Sequence, residues 1–346
     1  MKTMVLYMHF GRFRAVLSTL FPFVVGLLWS ESSTLSALTY LGWGALLHLF
    51  ICQLNNLADY DTDKLNGSRQ RDPLLSGELS RTRAAGWVLM DGIILSTTIP
   101  VVFSGIGART GAAVLILLVS YGNIYQKKSR LSPIFIDYLY GLCMALPAAL
   151  VRFSQANWVI GGRFLLIGAL GLTFTVLNMY AGNLKDLEWD RLAGSRTTAI
   201  TCGVVVDAGT KTGFRFSVKY NLVLLVPQSI LTGLLFASWY FEHDLSPSAQ
   251  LVNLTGLTAA IMACICMADD LCVLPSWFTY LKRPSRRDQK VRAVRPMHAF
   301  LNLAAVILIA AGFSPDPLLA VLLLFSLVAI TYMLIAYGNR IAMVMR

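Results

Sequence analysis

Apolar residues run along this chain in ten long blocks, near 13–30, 36–54, 84–103, 111–125, 134–152, 163–182, 220–241, 249–274, 297–313 and 316–337, separated by shorter polar intervals. A helix needs about 20 residues to cross a hydrocarbon core about 30 Å thick. Each block reaches or approaches that length, so the pattern predicts an all-α polytopic transmembrane helical bundle of nine to ten spans. It predicts one transmembrane domain over 1–346 with no soluble domain attached. The shortest blocks, 111–125 and 297–313, are expected to be tilted, broken or re-entrant. Pro22, Pro100, Pro147 and Pro227 fall inside blocks, where they are expected to kink helices whose freed carbonyls are met by neighbouring helices or water.

The polar intervals carry a strong asymmetry. When the intervals are assigned alternately to two sides, one side receives all 29 Lys and Arg except Arg109, Arg152 and Arg163. Cytoplasmic loops hold the excess of basic residues, so both termini and the intervals 55–83, 126–133, 183–219 and 275–296 are predicted to be cytoplasmic. Composition agrees, with 56% hydrophobic and 14% charged residues and a mean hydropathy of +0.63. The net charge of +11 lies at membrane borders without a nucleic-acid motif, so no nucleic-acid partner is expected. The most basic interval, 275–296, is expected to touch anionic headgroups of membrane lipids. The first block is an ordinary span and not a secretion signal, because nine more follow it. Cys52, Cys143, Cys202, Cys264, Cys266 and Cys272 show neither CxxC nor Cys/His spacing, so no disulfide or zinc role is assigned. His9, His48, His243 and His298 form no pattern.

Against this background one acidic sequence occurs twice, 127 positions apart. Asn56-Leu-Ala-Asp59-Tyr-Asp61-Thr-Asp63-Lys64-Leu-Asn-Gly67-Ser68-Arg69 returns as Asn183-Leu-Lys-Asp186-Leu-Glu188-Trp-Asp190-Arg191-Leu-Ala-Gly194-Ser195-Arg196, with eight of fourteen positions identical. The copies follow the second and sixth blocks, which implies two equivalent loops across one central cavity. Outside these copies the halves do not align. At about 100° per residue, Asp59 and Asp63 share one helix face, as do Asp186 and Asp190. Asn55 extends the first row by a turn. Carboxylates so aligned repel each other unless cations share the site, and hard oxygen donors select Mg²⁺ or Ca²⁺. Mg²⁺ keeps waters and recruits phosphate oxygens. The trailing Gly-Ser-Arg places Arg69 and Arg196 to hold phosphate in a fork. Four carboxylates, two Mg²⁺ and a diphosphate leave about three negative charges, which Arg69, Arg196, Lys127 and Lys128 on the same face can neutralise. The competing reading pairs these carboxylates with Lys64, Arg191 and their neighbours in solvated loops. Asp61 and Glu188 point elsewhere, as outer partners or surface charges. Asp91, Asp137, Asp269 and Asp270 lie in or at the ends of apolar blocks, where an ionisable group is a functional candidate by default. Asp137 follows the Lys127–Arg130 run and is placed beside the same cavity.

The residues Asn55-x-x-x-Asp59-x-x-x-Asp63, followed by Arg71-Asp72-Pro73-Leu-Leu-Ser-Gly77, resemble the first aspartate-rich motif of the UbiA superfamily of intramembrane prenyltransferases. Asn183 to Ile200 resembles its second motif, above all in quinone-biosynthesis members. Arg12 is similar to the family's first-helix arginine, and Tyr125 with Lys127, Lys128 and Pro133 to its basic segment after the fourth helix. The resemblance spans about residues 10–205. It implies a helical bundle open laterally to lipid, Mg²⁺ held by Asp59, Asp63, Asp186 and Asp190, and an isoprenoid diphosphate donor contacted by Asn55, Asn56, Arg69, Arg71, Lys127, Lys128, Asn183, Arg196 and Arg12. The chain departs from the family at Asp72-Pro73, where Arg-Pro is common, and in its ten blocks, where nine spans are usual. The repeat aligns Asn56 with Asn183, whereas the family pattern favours Asn55, and both stay open at this point.

The expected activity is Mg²⁺-dependent transfer of a prenyl group from an allylic diphosphate to an aromatic or other small acceptor. Ionisation of the C–O bond leaves a cation that an aromatic face stabilises in a dry site. Tyr121, Tyr125, Phe174 and Tyr180 are the candidates by position, with Asp137 beside them. Two alternatives remain: a UbiA-type terpene cyclase, in which the donor's own tail captures the cation, and a cation-coupled transporter.

Overall fold

The computed structural model describes residues 2–28, 30, 32–65, 72–125, 131–154, 162–207, 214–241, 247–271 and 297–312. Arg69, Arg71, Lys127, Lys128, the interval 275–296 and the tenth block lie outside the described residues. The chain divides into two compact units. Unit 1 comprises 1–129, 143–159 and 192–195, and unit 2 comprises 130–142, 160–191 and 196–346.

Unit 1 begins with α1 (Lys2–Phe10), a 3-10 turn (Phe13–Ala15) and α2 (Val16–Leu28). The segments Thr3–Phe10 and Phe13–Leu27 meet at a bend of 50°, and together they qualify as one broken span. The first apolar block therefore extends to the N-terminal side of the predicted residue 13. After it come α3 (Thr34–Ala58), the short α4 (Tyr60–Asp63), α5 (Arg81–Val102) and α6 (Ile106–Tyr125). The Ser33 side chain caps α3 by accepting from the Ser36 N–H, and Ser80 caps α5 through Arg83, each meeting a donor that a helix start leaves unpaired. Trp43 anchors the core: its ring stands edge-on to Phe103 at 5.0 Å, and its indole N–H reaches the Leu95 carbonyl at 3.3 Å.

The predicted start of the fourth block at residue 111 is corrected to Ile106. Arg109 explains why the helix runs through a charge. Its Nε donates to the Phe103 carbonyl at 3.0 Å and its Nη2 to the Pro100 carbonyl at 3.2 Å, so it satisfies two orphan acceptors at the end of α5.

Helix α7 (Pro133–Phe153) contributes its first half to unit 2 and its second to unit 1. Within unit 1 it approaches α2 closely: a Cβ on Gly26 would lie 2.8 Å from the Ala148 carbonyl oxygen.

Unit 2 contains α8 (Gly162–Leu177), a π-helical turn (Asn178–Gly182), α9 (Asn183–Lys185), α10 (Leu187–Leu192, whose last residue falls in unit 1) and α11 (Thr198–Thr201). A two-stranded antiparallel hairpin follows, β1 (Val205–Val206) with β2 (Phe214–Arg215), in the register Val205 to Arg215 and Val206 to Phe214. The all-α reading missed it. The Asp207–Arg215 ion pair at 2.6 Å closes it, and Phe214 is buried in the core beneath. Three longer helices complete the unit: α12 (Val218–Phe241), α13 (Pro247–Asp270) and α14 (Met297–Gly312).

All four predicted kink prolines stand inside helices: Pro22 in α2, Pro100 in α5, Pro147 in α7 and Pro227 in α12. Six described helices are long and apolar enough to cross a membrane, and the bent α1–α2 pair makes seven. The eighth and ninth blocks appear as shorter apolar stretches, Val252–Ala268 and Leu301–Ala310.

One contact fixes α12 against α14. Gln228 Nε2 donates to Asn302 Oδ1 at 2.9 Å, and Asn302 Nδ2 returns a bond to Gln228 Oε1 at 2.8 Å. Both residues are fully buried. A reciprocal amide pair between apolar helices specifies register, because any slip strands four polar atoms. Asn302→Leu should therefore lower stability by about 1–2 kcal/mol, read as a lower melting temperature in detergent. Adding Gln228→Leu should cost less than the sum of the single changes, since it removes the stranded partner.

Candidate active site

Each acidic copy is built around the same backbone break. In the first, α3 ends at Ala58 and Asp59 occupies the junction with α4 at φ −88°, ψ 3°. In the second, Asp186 holds the junction of α9 and α10 at φ −108°, ψ 8°. Both values fall in the bridge region, a sparsely allowed part of backbone space. The i to i−4 ladder nevertheless continues through the break, with Asp63 N to Asp59 O and Asp190 N to Asp186 O both at 2.8 Å. The predicted alignment of each carboxylate pair over one turn is thus preserved. Asp63 and Asp190 are both buried, at 6% and 3% exposure, whereas Asp59 and Asp186 are half-buried. The duplication thus extends from residue identity to backbone conformation and depth.

The two asparagines of the first copy separate cleanly. Asn55 Nδ2 donates to Asp59 Oδ2 at 3.2 Å, so it belongs to the carboxylate row. Asn56 is buried and faces the first helix: its Nδ2 donates to the Phe10 carbonyl at 2.8 Å, and its Oδ1 accepts from the Arg12 guanidinium. Arg12 sits at the 50° bend with φ 49°, ψ 39°, a left-handed conformation that costs a residue with a Cβ free energy unless its surroundings impose it. His48 supplies another part of those surroundings. Its Nε2 donates to the Arg12 carbonyl at 3.1 Å, and its Nδ1 pairs with the Thr19 hydroxyl at 2.9 Å. Among the described residues no carboxylate pairs with Arg12. Its positive charge is held in place by a neutral amide.

In the second copy Asn183, the equivalent of Asn56, is also buried and donates to Asp137 Oδ2 at 3.2 Å. The Asp137 carboxylate further accepts from Asn178 at 2.7 Å and from the Thr198 hydroxyl at 2.5 Å. One buried carboxylate therefore ties together the start of α7, the π-helical turn, α9 and α11. Sequence reading placed Asp137 beside the site but missed Asn178 and Thr198. Asn178 lies five residues before Asn183, a spacing that only a π turn brings onto one side. Thr198, by contrast, lay within the segment that resembles the second motif.

The remaining predicted residues divide by accessibility. Arg196 is exposed just after Gly194, whose φ of +67° suits glycine. Tyr121 and Tyr125 form a tilted ring pair at 5.1 Å, Tyr121 half-buried and Tyr125 exposed. Phe174 and Tyr180 are core residues at 4% and 0% exposure, and Tyr180 stacks on Phe216 at 6.4 Å. Asp61 makes an exposed ion pair with Arg81 at 3.3 Å, which realises the surface-charge reading. Asp72 caps its own turn, its Oδ1 accepting from Leu74 N at 3.0 Å.

Residues 19–267, which include both acidic copies, match the UbiA prenyltransferase family. The chain belongs to this family. No curated protein matches it by sequence. Among solved structures it is similar to an apo UbiA homologue from Aeropyrum pernix K1, with a TM-score of 0.58 and 17% identity over 86% of this chain and 96% of that one. It is similar also to a UbiA homologue from Archaeoglobus fulgidus bound to DMAPP and Mg²⁺, with a TM-score of 0.59 and 15% identity over 88% and 98%. A digeranylgeranylglyceryl phosphate synthase gives 0.55 and 15% over 89% and 99%. At these identities the likeness concerns the UbiA fold.

The donor chemistry of the acidic rows fits a hard cation. Each supplies two carboxylates one turn apart, and the first adds the Asn55 amide. Among the described residues no three His, Cys, Asp or Glu side chains converge.

The asparagine assignments separate by stability. Asn56→Ala strands the Phe10 carbonyl and releases a guanidinium, and should cost about 1.5–3 kcal/mol. Asn55→Ala should stay within about 0.5 kcal/mol of the parent protein. Thermal melts of the two variants in detergent provide the comparison.

Proposed function

We propose that the chain transfers a prenyl group from an allylic prenyl diphosphate to a small aromatic acceptor, with Mg²⁺ as cofactor, at a site on the cytoplasmic side of the membrane. The observation that carries this reading is the acidic turn built twice with the same backbone break. Family membership supports the reaction class, and the A. fulgidus homologue holding DMAPP and Mg²⁺ supports the donor and the ion. The distribution of Lys and Arg supports the sidedness.

In this reading Asp59, Asp63, Asp186 and Asp190 hold Mg²⁺, with Asn55 orienting Asp59. Bound there, the metal supplies charge neutralisation to a leaving diphosphate. Arg12 donates to the diphosphate with a charge that no carboxylate quenches among the described residues, and its rigid bend means that little side-chain freedom is lost on binding. Arg196, with Arg69, Arg71, Lys127 and Lys128, offsets the remaining negative charge. Asn56 and Asn183 act from behind: the first positions Arg12, the second joins the second acidic turn to Asp137.

The allylic C–O bond breaks with its electron pair leaving on the diphosphate. The acceptor ring then forms the new C–C bond and loses a proton. Of the four aromatic candidates, Tyr121 and Tyr125 are the ones whose faces can meet an allylic cation, because Phe174 and Tyr180 are closed into the core.

Asp59→Ala and Asp186→Ala should each reduce Mg²⁺-dependent turnover by about 100-fold or more while leaving helicity by circular dichroism unchanged. The assay is mass spectrometry of products from purified protein with a panel of allylic prenyl diphosphates, with and without aromatic acceptors, in Mg²⁺ or EDTA. Retained turnover in both variants overturns the metal assignment. A cyclic hydrocarbon or terpene alcohol formed from the donor alone identifies a cyclase instead.

A further inference from the structure

A second polar cluster lies within unit 1, apart from the acidic row of α3. Asp91, midway along α5, is fully buried, and so is Gln53 on α3. The Tyr7 hydroxyl on α1 donates to Asp91 Oδ1 at 2.6 Å, and the Gln53 side chain lies beside the same hydroxyl. Asp91 Oδ2 and both Gln53 side-chain heteroatoms have no hydrogen-bond partner among the described residues. Among the described residues no cationic side chain acts on Asp91; burial and Tyr7 are the influences on it. Neighbouring positive charges are committed elsewhere: Arg12 to Asn56, and Arg83 over the Trp87 ring at 5.2 Å.

A lone carboxylate inside a membrane span is costly, and native proteins seldom leave such a group without compensation. Three guests can supply it. A proton on Oδ2 removes the charge, but no acceptor among the described residues stands in hydrogen-bonding geometry to that oxygen, whereas an ion can bridge oxygens that do not bond each other. Water bonds to these atoms and leaves the charge uncompensated in an apolar interior. A monovalent cation does both, because it balances one carboxylate and bonds directly to oxygen. A divalent ion would exceed the single negative charge available and normally recruits more than one carboxylate.

We propose that Asp91 Oδ2, Gln53 Oε1 and the Tyr7 hydroxyl oxygen form a binding site for a monovalent cation of sodium size, linking α1, α3 and α5. The cation acts as a structural clamp on the N-terminal limb of the broken first span. The site is independent of the diphosphate chemistry, since it uses none of those residues and no divalent ion.

The test is the thermal unfolding of the full chain in detergent with EDTA present, in NaCl, KCl or choline chloride at equal ionic strength. Sodium should raise the melting temperature by about 3 °C or more over choline. Tyr7→Phe should shrink that increment, and Asp91→Asn should abolish it while raising the melting temperature in choline toward the sodium value. Equal melting in sodium and choline for the parent protein overturns the proposal and leaves a proton or water as the guest. So does a sodium increment that survives in Asp91→Asn. If Asp91→Asn fails to fold, the parent comparison together with Tyr7→Phe decides the matter.

Discussion

Inside a hydrocarbon slab no water is on hand to meet a backbone N–H or carbonyl, so every departure from regular helix must be satisfied from within the protein. The described structure meets that constraint with polar side chains at three of its irregularities. The bend at Arg12 is held by Asn56 and His48. The end of α5 is held by Arg109. The π-helical turn lies beside Asp137, which binds Asn178 and Asn183 at either end of it. Buried polar side chains therefore collect at these helix breaks, where the candidate chemistry also lies, although Gln53, Asp91, Gln228 and Asn302 are buried within regular helix.

That coupling explains why the two acidic copies are more than surface loops. An aspartate in the bridge region interrupts a helix while the following turn stays bonded to it, so two carboxylates are presented one turn apart at a helix end. In each copy the equivalent asparagine turns away from the carboxylates and into the protein, Asn56 toward the first helix and Asn183 toward Asp137. A duplicated element has kept its inner anchor in both copies while each found a different partner for it. The UbiA fold in this chain thus carries a repeat whose supporting contacts have diverged more than its acidic face.

Much of this was legible before any coordinates. Seven of the ten apolar blocks reappear as spans or as the bent pair, and the carboxylate rows keep the helical alignment that their spacing implied, because periodicity and hydropathy are local properties of the chain. The errors are equally physical. The block at 111 began too late because Arg109 reads as a boundary charge, whereas its side chain folds back as a cap. The β1–β2 hairpin was hidden because two-residue strands leave too short a pattern to register. Phe174 and Tyr180 were indistinguishable from Tyr121 and Tyr125 as aromatic residues in apolar blocks.

The sequence by itself determined the family, the helical class and the pairing of carboxylates, since each depends on residues close together in the chain. Only tertiary structure decided between Asn55 and Asn56, gave Asp137 its three donors, and showed Asp91 buried with one phenol for company. Those outcomes rest on contacts between residues 41 to 84 positions apart, and a buried polar atom takes whichever partner packing brings within about 3 Å.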